Sequence, residues 1–519
     1  MIKGSVAVAA AASLHGFTAR SYGNILGAND TIRMATIGFN GRGNSHIDAF
    51  SKMKGVKMVA LCDVDSKVLE RGISRLESGG TKKPTTKPAT KPIAKVDRKE
   101  MADGVAKPAT KILGYTDLRK LLDNKEIDAV STATPNHWHS LVTIWAIQAG
   151  KDVYCEKPVS HEVWEGRQMV NAARAHNKIV QTGTQSRSNM ALKAAYEWVQ
   201  AGNLGKIQVA RGLCYKRRAS IGKTEGPQKV PDNINYDLWC GPASNAPPRR
   251  NSKQYGPVHY EWHWIWEYGN GDLGNQGIHQ MDTARWALGK NTLAPRVFSI
   301  GGRFGYTDDG ETPNTQFVVQ DYGDSMLIFE VRGLPKETGS SQMDKYKGAN
   351  GVSTIVECEN GYLTDSGYTS SPIAFDKEGK AIKKFTAKDI EGGEDSGGHF
   401  ENFIKAVRSR NIKDLHADIL EGHLSSALCH TGNISYRMGK PTPASEVENV
   451  LKDNKAALET YGRFKEHLAA NDVALKDHQP TLGAFLEMDP KTERFTNNEQ
   501  ANALLKRNYR APYVVPDQV

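Results

Sequence analysis

The chain has 519 residues, 39% hydrophobic and 24% charged, with 68 Lys plus Arg against 58 Asp plus Glu. That length allows two to four domains of about 100–200 residues each. The apolar fraction excludes wholesale disorder, 49 Gly without a three-residue period exclude collagen, and no run of about 18 apolar residues is present to span a membrane.

Residues 1–30 form the first element. Lys3, the apolar run Val6 to Leu14 and a small, polar stretch to Asp30 follow the order of an export signal. The stretch resembles the tail of a twin-arginine leader without its Arg pair, so a periplasmic or exported location is expected, and a cytoplasmic one if the leader is inactive. The competing reading is a short N-terminal helix.

From residue 31 to 189 apolar strands alternate with helical stretches. Strands are predicted at Met34–Ile37, Val56–Leu61, Ala129–Thr132, Asp152–Cys155 and Ile179–Thr182. Helices are predicted at Tyr115–Leu122, His139–Ala149 and Glu162–His176. This spacing implies a doubly wound parallel α/β sheet. It is interrupted at 78–111 by a Lys/Pro/Thr/Ala-rich insertion, in which nine Lys or Arg face three acids between Lys82 and Lys111. Of the net +10, only +4 then remains for the rest of the chain. A basic patch can mark a polyanion partner, but this composition reads better as a solvated excursion, and no nucleic-acid partner is expected.

A second α/β domain is predicted over 190–445, with a helix at Leu192–Gln200 and strands at Ile207–Leu213, Gln316–Asp321 and Ser325–Val331 in a mainly antiparallel sheet. Further helices are expected at Phe400–Val407 and Leu420–Tyr436, and a helical extension over 446–519. Cys62, Cys155, Cys214, Cys240, Cys358 and Cys429 are far apart with no CxxC pair, so buried free thiols are expected.

The chemistry begins at GFNGRG. Gly38, Gly41 and Gly43 lie between a strand and a helix, where backbone approaches a pyrophosphate closely and a helix N-terminus offers N–H groups. Asn40 belongs to the same turn, and Arg42 either touches phosphate or faces solvent. Asp63, at the end of the second strand, can accept from a ribose diol and would repel the extra phosphate of NADP, so NAD is preferred.

Three further segments follow: TPNHWH (Thr134–His139), EKP (Glu156–Pro158) and GNQGIHQMD (Gly274–Asp282). In this order, after the glycine-rich turn, they resemble the Gfo/Idh/MocA oxidoreductases over about residues 32–440. The resemblance implies a Rossmann domain joined to an open-sheet α/β domain, with a sugar or polyol bound between them, and a homo-oligomer. It places Thr134, Asn136, His139 and Glu156 at the cofactor and gives Lys157 contact with both cofactor and the reacting hydroxyl. His279 matches the family's catalytic base. A cation beside a developing alkoxide and an imidazole of near-neutral pKa suit those roles. Pro158 is a candidate cis proline. Where many members carry Asp four residues before the histidine this chain has Asn275, which cannot take a proton but can bind a substrate hydroxyl. Asp272 and Asp282 are the candidates to orient His279.

The segment HYEWHWIWEYGNGDLGN places His259, Trp262, His263, Trp264 and Trp266 directly before the catalytic motif, a composition suited to sugar faces as well as to a strand core. Asp272, Trp264, His263, Arg187 and Tyr215 are substrate-side candidates, with Tyr236 at the rim. No metal is expected: His137, His139, His263 and His279 lack ligand spacing. The resulting expectation is an NAD-dependent enzyme oxidising a sugar or glycoside hydroxyl by hydride transfer. The alternative is a redox-neutral glycosidase that oxidises, eliminates, hydrates and re-reduces with retained NAD. A non-catalytic sugar or dinucleotide sensor is a third, weaker reading.

Overall fold

The computed structural model describes residues 31–78, 111–366, 371–394 and 397–519. The leader-like segment 1–30 lies outside the described residues, as does the basic insertion 78–111 apart from its two end residues.

Six strands form the first sheet: β1 (Ile32–Ile37), β2 (Val56–Cys62), β3 (Leu113–Tyr115), β4 (Ala129–Thr132), β5 (Asp152–Cys155) and β6 (Val180–Thr182). Their order is β3-β2-β1-β4-β5-β6 and every pairing is parallel. The direction of winding reverses between β1 and β4, the point at which such sheets open a crevice beyond their strand ends. Side chains alternate between two covered faces. Ala35, Ile37, Val130, Val153 and Cys155 pack with α4 (Asn136–Gln148) and α5 (Val163–Ala175). Met34, Leu61, Ala129 and Tyr154 pack with α1 (Gly43–Phe50) and α2 (Ser66–Glu77) on the other side. Burial on both faces explains strands that are largely buried along their length rather than alternating.

The stretch predicted as one helix from Tyr115 divides. Tyr115 ends β3, and α3 (Leu118–Leu122) starts after Asp117, whose side chain accepts from the Arg119 N–H. The cap fixes the start of the helix, and the parallel pairing with β2 claims the residues before it.

The second domain starts with α6 (Met190–Gln200) and β7 (Ile207–Tyr215). A long segment over 216–270 then carries little regular structure beyond α7 (Tyr236–Cys240). After it come α8 (Gly271–Asn275), α9 (Gly277–Ala287), β8 (Arg296–Gly302), β9 (Thr315–Asp321), β10 (Met326–Arg332), β11 (Val352–Cys358), β12 (Gly361–Ser366), β13 (Ile373–Asp376) and β14 (Ala381–Lys384). These strands lie in the order β14-β13-β12-β11-β7-β10-β9-β8. The β7–β10 pair is parallel and the other described pairs are antiparallel.

Both faces of this sheet are also covered. Val318, Leu327 and Phe329 pack with Ile278 and Met281 of α9 and with Leu424, Ala427 and Leu428 of α11 (Ile419–Arg437), the helix that also packs on α5 and so joins the domains. Phe317, Val319 and Ile328 point the other way, onto α12 (Ala444–Leu451) and α13 (Lys455–Ala470), where Val447, Leu451, Tyr461 and Phe464 meet them. α10 (His399–Ser409) returns to the first domain through Phe403 and Ile404.

The segment expected to be a helical extension is helical as far as Ala470 and again in one turn at Glu499–Asn502. Between them, short strands at Thr481–Leu482 and Leu486–Asp489 pair with β8. The chain end crosses back to the first domain, where Tyr513 and Val515 enter the core beside Trp138. Pro480, Pro490, Pro512 and Pro516 account for the change, because proline stops a helix and permits extended backbone. All six cysteines are free and buried. Among the described residues, no helix is long and apolar enough to cross a membrane.

Candidate active site

A cleft of about 670 Å³ lies at the β1–β4 reversal, between the two domains. Its first wall consists of strand ends. Gly38, Asn40, Gly41 and Arg42 follow β1, Asp63 follows β2, Thr134, Asn136 and His139 follow β4, and Glu156 and Lys157 follow β5; all line the cleft. The second domain adds Asn275, Gln276 and His279 from α8 and α9, and the 216–270 segment adds Leu238, Trp239, Tyr255, His259, Tyr260, Trp262 and His263.

The glycines meet the demands of a dinucleotide cradle. Gly38 has φ +72°, and a Cβ there would lie 2.9 Å from the Thr134 nitrogen. A Cβ on Gly43 would lie 2.3 Å from the Gly38 carbonyl oxygen, so this glycine lets α1 approach β1, although it does not itself line the cleft. On Gly41 an added methyl would meet no protein atom within 4 Å. Backbone there faces open cleft, as close approach to a pyrophosphate requires. Asp63 accepts from the Phe39 and Asp65 N–H groups at 2.9 and 3.0 Å, and its burial raises the carboxyl to about 6.

Glu156 is the charge centre of this wall. It is 3% exposed and accepts from Arg42 Nε at 2.8 Å and Gln185 Nε2 at 3.3 Å, with His46 Nε2 at 3.1 Å. Despite burial, the hydrogen bond with His46 and the Arg42 charge hold it well below the usual carboxylate range. Arg42 thus ties the glycine loop to Glu156 along the first wall.

Lys157 does not bridge to Glu156. Its Nζ donates to the Asn275 carbonyl at 2.7 Å, and burial brings the ammonium down to about 8. The Lys157–Pro158 peptide is cis. His139 joins the two motifs, with Nδ1 2.6 Å from the Pro158 carbonyl oxygen and Nε2 2.7 Å from that of Thr134. His279 is 5% exposed; burial first, then the Lys157 charge, push it well below its ordinary value, so the ring is neutral. Asn136 Nδ2 donates to Asn270 Oδ1 at 3.1 Å and helps join the domains.

Neither candidate carboxylate orients His279. Asp272 is held by Arg218 through two bonds of 2.7 and 2.6 Å, and Asp282 accepts from Arg187 at 2.9 and 2.8 Å and from Ser425 Oγ at 2.7 Å. Four residues proposed for the substrate thus lie outside the cleft lining. Asp272 is consumed by Arg218. Arg187 is buried in its pair with Asp282. Tyr215 donates from its hydroxyl to Glu330 at 2.7 Å. Trp264 is buried beneath Arg218, whose guanidinium lies 5.1 Å from the ring centroid, and donates to Glu261 at 2.8 Å. Trp266 packs against Tyr436 and Arg437, and Tyr236 stacks on Trp239.

The aromatic residues that do line the cleft are Tyr255, Tyr260, Trp262 and His263. Trp262 and His263 stack with centroids 3.7 Å apart, and Tyr255 stacks on Tyr260 at 4.6 Å. Burial takes His263 down to about 3, so it too is neutral. Tyr260 adopts φ +60° and ψ −53°, with the Glu261 N–H donating to the His259 carbonyl at 2.8 Å. So tight a turn at a non-glycine residue carries backbone strain, which is held here by Arg218 Nη1 donating to the Tyr260 hydroxyl at 3.0 Å. Tyr255, Tyr260, Gln185 and Gln276 were not singled out in the sequence. Gln276 lies inside the GNQGIHQMD motif and Tyr260 inside the aromatic HYEWHW run, so both could have been; Tyr255 and Gln185 carry no local signal.

The 216–270 segment is strapped to the first domain. Asp65 faces His259 Nε2 at 3.1 Å, accepts from Asn233 Nδ2 at 2.7 Å and pairs through its backbone with Ile234. The chain end holds the strap from behind, with Arg510 donating to the Gly241 and Ala243 carbonyls and to Asp237. His137 lies 3.0 Å from the Trp239 carbonyl oxygen as part of this seam. Among the described residues, no group of three His, Cys, Asp or Glu side chains is placed to hold a metal.

Comparison with known proteins agrees with this arrangement. Two Gfo/Idh/MocA family models match: "Oxidoreductase family, NAD-binding Rossmann fold" over residues 32–184 and "Oxidoreductase family, C-terminal alpha/beta domain" over 189–331. The first domain is therefore an NAD-binding Rossmann fold. Levoglucosan dehydrogenase of Pseudarthrobacter phenanthrenivorans is 30% identical over 209 residues, 39% of this chain and 45% of that protein. A glycosyl hydrolase family 109 protein of Shewanella pealeana is 31% identical over 149 residues, 29% of this chain and 27% of that protein. The chain thus spans less than half the length of these curated relatives. Among solved structures, the WlbA dehydrogenase from Bordetella pertussis, in complex with NADH and UDP-GlcNAcA, aligns with a TM-score of 0.51 at 18% identity, over 77% of this chain and 94% of that one. A levoglucosan dehydrogenase complexed with NADH aligns at 0.52 and 15%, over 77% and 95%. These likenesses show the fold.

Proposed function

This chain belongs to the Gfo/Idh/MocA oxidoreductase family, and on that premise we propose that it oxidises a hydroxyl of a sugar or glycoside, using NAD rather than NADP. The observation that carries the reading is the meeting of Lys157 and His279 in the cleft that also holds the glycine loop and Asp63. Gly38, Gly41, Asp63, Thr134 and Glu156 would hold the cofactor, which when bound supplies a two-electron acceptor. The chain's own residues handle the proton and the charge. Lys157, anchored at the Asn275 carbonyl, offers an N–H to the substrate oxygen and stabilises the negative charge that develops there. His279, neutral, accepts the hydroxyl proton at a ring nitrogen. The Asn275 carboxamide can hydrogen-bond a neighbouring hydroxyl. Tyr255, Tyr260, Trp262 and His263 offer ring faces to the sugar and keep water from the reacting atoms.

One feature favours a second reading, the redox-neutral glycosidase cycle with retained NAD. The strap forms much of the cleft's outer wall and is tied on both sides, to Asp65 in front and to Arg510 behind. A cofactor held under such a strap leaves slowly, which suits a cycle that returns it unchanged. A panel of chromogenic α- and β-glycosides with no added cofactor separates the two. Aglycone release without NADH accumulation supports the cycle. Absorbance at 340 nm that rises only with added NAD and a free sugar supports the dehydrogenase. Silence in both counts against both readings.

A further inference from the structure

Two ammonium groups are tied to neighbouring residues of the cleft wall, Asn275 and Gln276. Lys157 Nζ donates to the carbonyl of Asn275, and Lys216 Nζ donates to the side-chain Oε1 of the next residue, Gln276, at 2.9 Å. Lys216 directly follows β7, is exposed and does not itself line the cleft, and its charge acts on both Lys157 and His279. Among the described residues, neither ammonium has a carboxylate within 4 Å.

The carboxylates that could compensate them are already used. Glu156 is bound by Arg42 and accompanied by His46, and Asp272 is 2% exposed and forked by Arg218. Asp63 lies at the other end of the cleft with both oxygens on backbone N–H groups. The nearby imidazoles His263 and His279 are neutral. Lys157 feels the opposite charges of Glu156 and Asp272 as well as the like charge of Lys216, whereas among the described residues Lys216 has no carboxylate bound to it. The edge of the cleft beside Gln276 therefore carries an ammonium that a neutral sugar would leave without an ionic partner.

We infer that the substrate is an acidic sugar, a uronate or glycuronide, whose carboxylate is received by Lys216 while Lys157 takes the reacting hydroxyl. A single exposed lysine suits a monoanion. The guanidinium fork that a doubly charged phosphate would recruit, Arg218, is already closed on Asp272. The inference deepens the proposed function and rests on it for the role of Lys157, but it can be tested by binding alone.

The test is calorimetric titration of the NAD-loaded protein with three matched pairs: glucose and glucuronate, galactose and galacturonate, mannose and mannuronate. Glucose 6-phosphate serves as the phosphate probe. At least one uronate should bind about tenfold more tightly than its neutral partner, the size of one charge-assisted hydrogen bond, and the preference should weaken with added salt. Lys216→Met should reduce the ratio to below about twofold, and Lys216→Arg should keep it. Equal affinities in every pair, no binding at all, a preference untouched by Lys216→Met, or tighter binding of the phosphate would each overturn the inference. Binding of a uronate without its oxidation would leave it standing and count against the proposed activity. Oxidation of neutral sugars, with no preference for their acids, would do the reverse.

Discussion

On the first-domain side of the cleft, Gly38, Thr134, Glu156 and Lys157 all lie within two residues of the ends of β1, β4 and β5. On the opposite side, Tyr255, Tyr260, Trp262 and His263 come from a strap with little regular backbone, braced internally by Arg218 and positioned by separate ties to Asp65 and Arg510. A sheet fixes its strand ends cooperatively, so a side chain there can be placed to within what chemistry needs. A strap held by individual hydrogen bonds can change its sequence and its grip without disturbing that placement. The first wall is thus suited to holding the cofactor and Lys157, with His279 supplied from α9, and the strap to choosing and enclosing what reacts.

If that division holds, the largest effects belong to the strand ends. Lys157→Ala should lower kcat by about 10³-fold or more, as the loss of a donor to a developing oxyanion does, while NADH still binds in a fluorescence titration and the melting temperature persists. A normal kcat would remove Lys157 from the mechanism. Next come the glycines. Gly43→Ala forces a methyl to 2.3 Å from the Gly38 carbonyl and should weaken NAD binding about 10- to 100-fold, with a lower melting temperature. Gly41→Ala, whose methyl meets no protein atom, should lose NAD affinity at an unchanged melting temperature. Affinity that survived would place the cofactor elsewhere.

The pH profile refines the same side. Lys157, brought down to about 8, must be protonated to work, so kcat should fall as pH rises through 8, by about tenfold per unit beyond it. His279 must be neutral, and its lowered value puts the acid limb below 6.5. Lys157→Arg, always charged, should abolish the alkaline limb in whatever activity it retains. The smallest effect is expected at the strap. His259→Ala removes a half-exposed tie worth about 0.2–1 kcal/mol, which should speed NADH release about two- to fivefold in a stopped-flow chase and leave kcat within a factor of two. A loss of kcat as large as that of Lys157→Ala would erase the distinction between the walls.

The same contrast decided what could be read from the residues. GFNGRG, EKP and the His279 motif are local patterns whose positions follow from a strand ending where it does, and the parallel sheet, the mainly antiparallel second sheet and the cofactor class were legible from them. Arg187 and Tyr215 were misplaced because their partners, Asp282 and Glu330, are 95 and 115 residues away, and a buried ion pair at that distance leaves no local trace. Trp262 and Trp264 are two residues apart and equally aromatic, yet the first lines the cleft and the second lies buried beneath Arg218. Only the path of the strap separates them. The departure of the tail from a helix could have been read from its prolines, but its return to Trp138 could not.

The cover over the outer face of the second sheet bears on how the protein behaves in bulk. An open sheet with Phe317, Val319 and Ile328 bare would need a second molecule to dry it, and its folding would then depend on concentration. Here α12 and α13 belong to the same chain and follow the sheet in sequence, so the cover is tethered and its local concentration is set by a linker rather than by the amount of protein present. The apolar residues of that face are dried within a single chain.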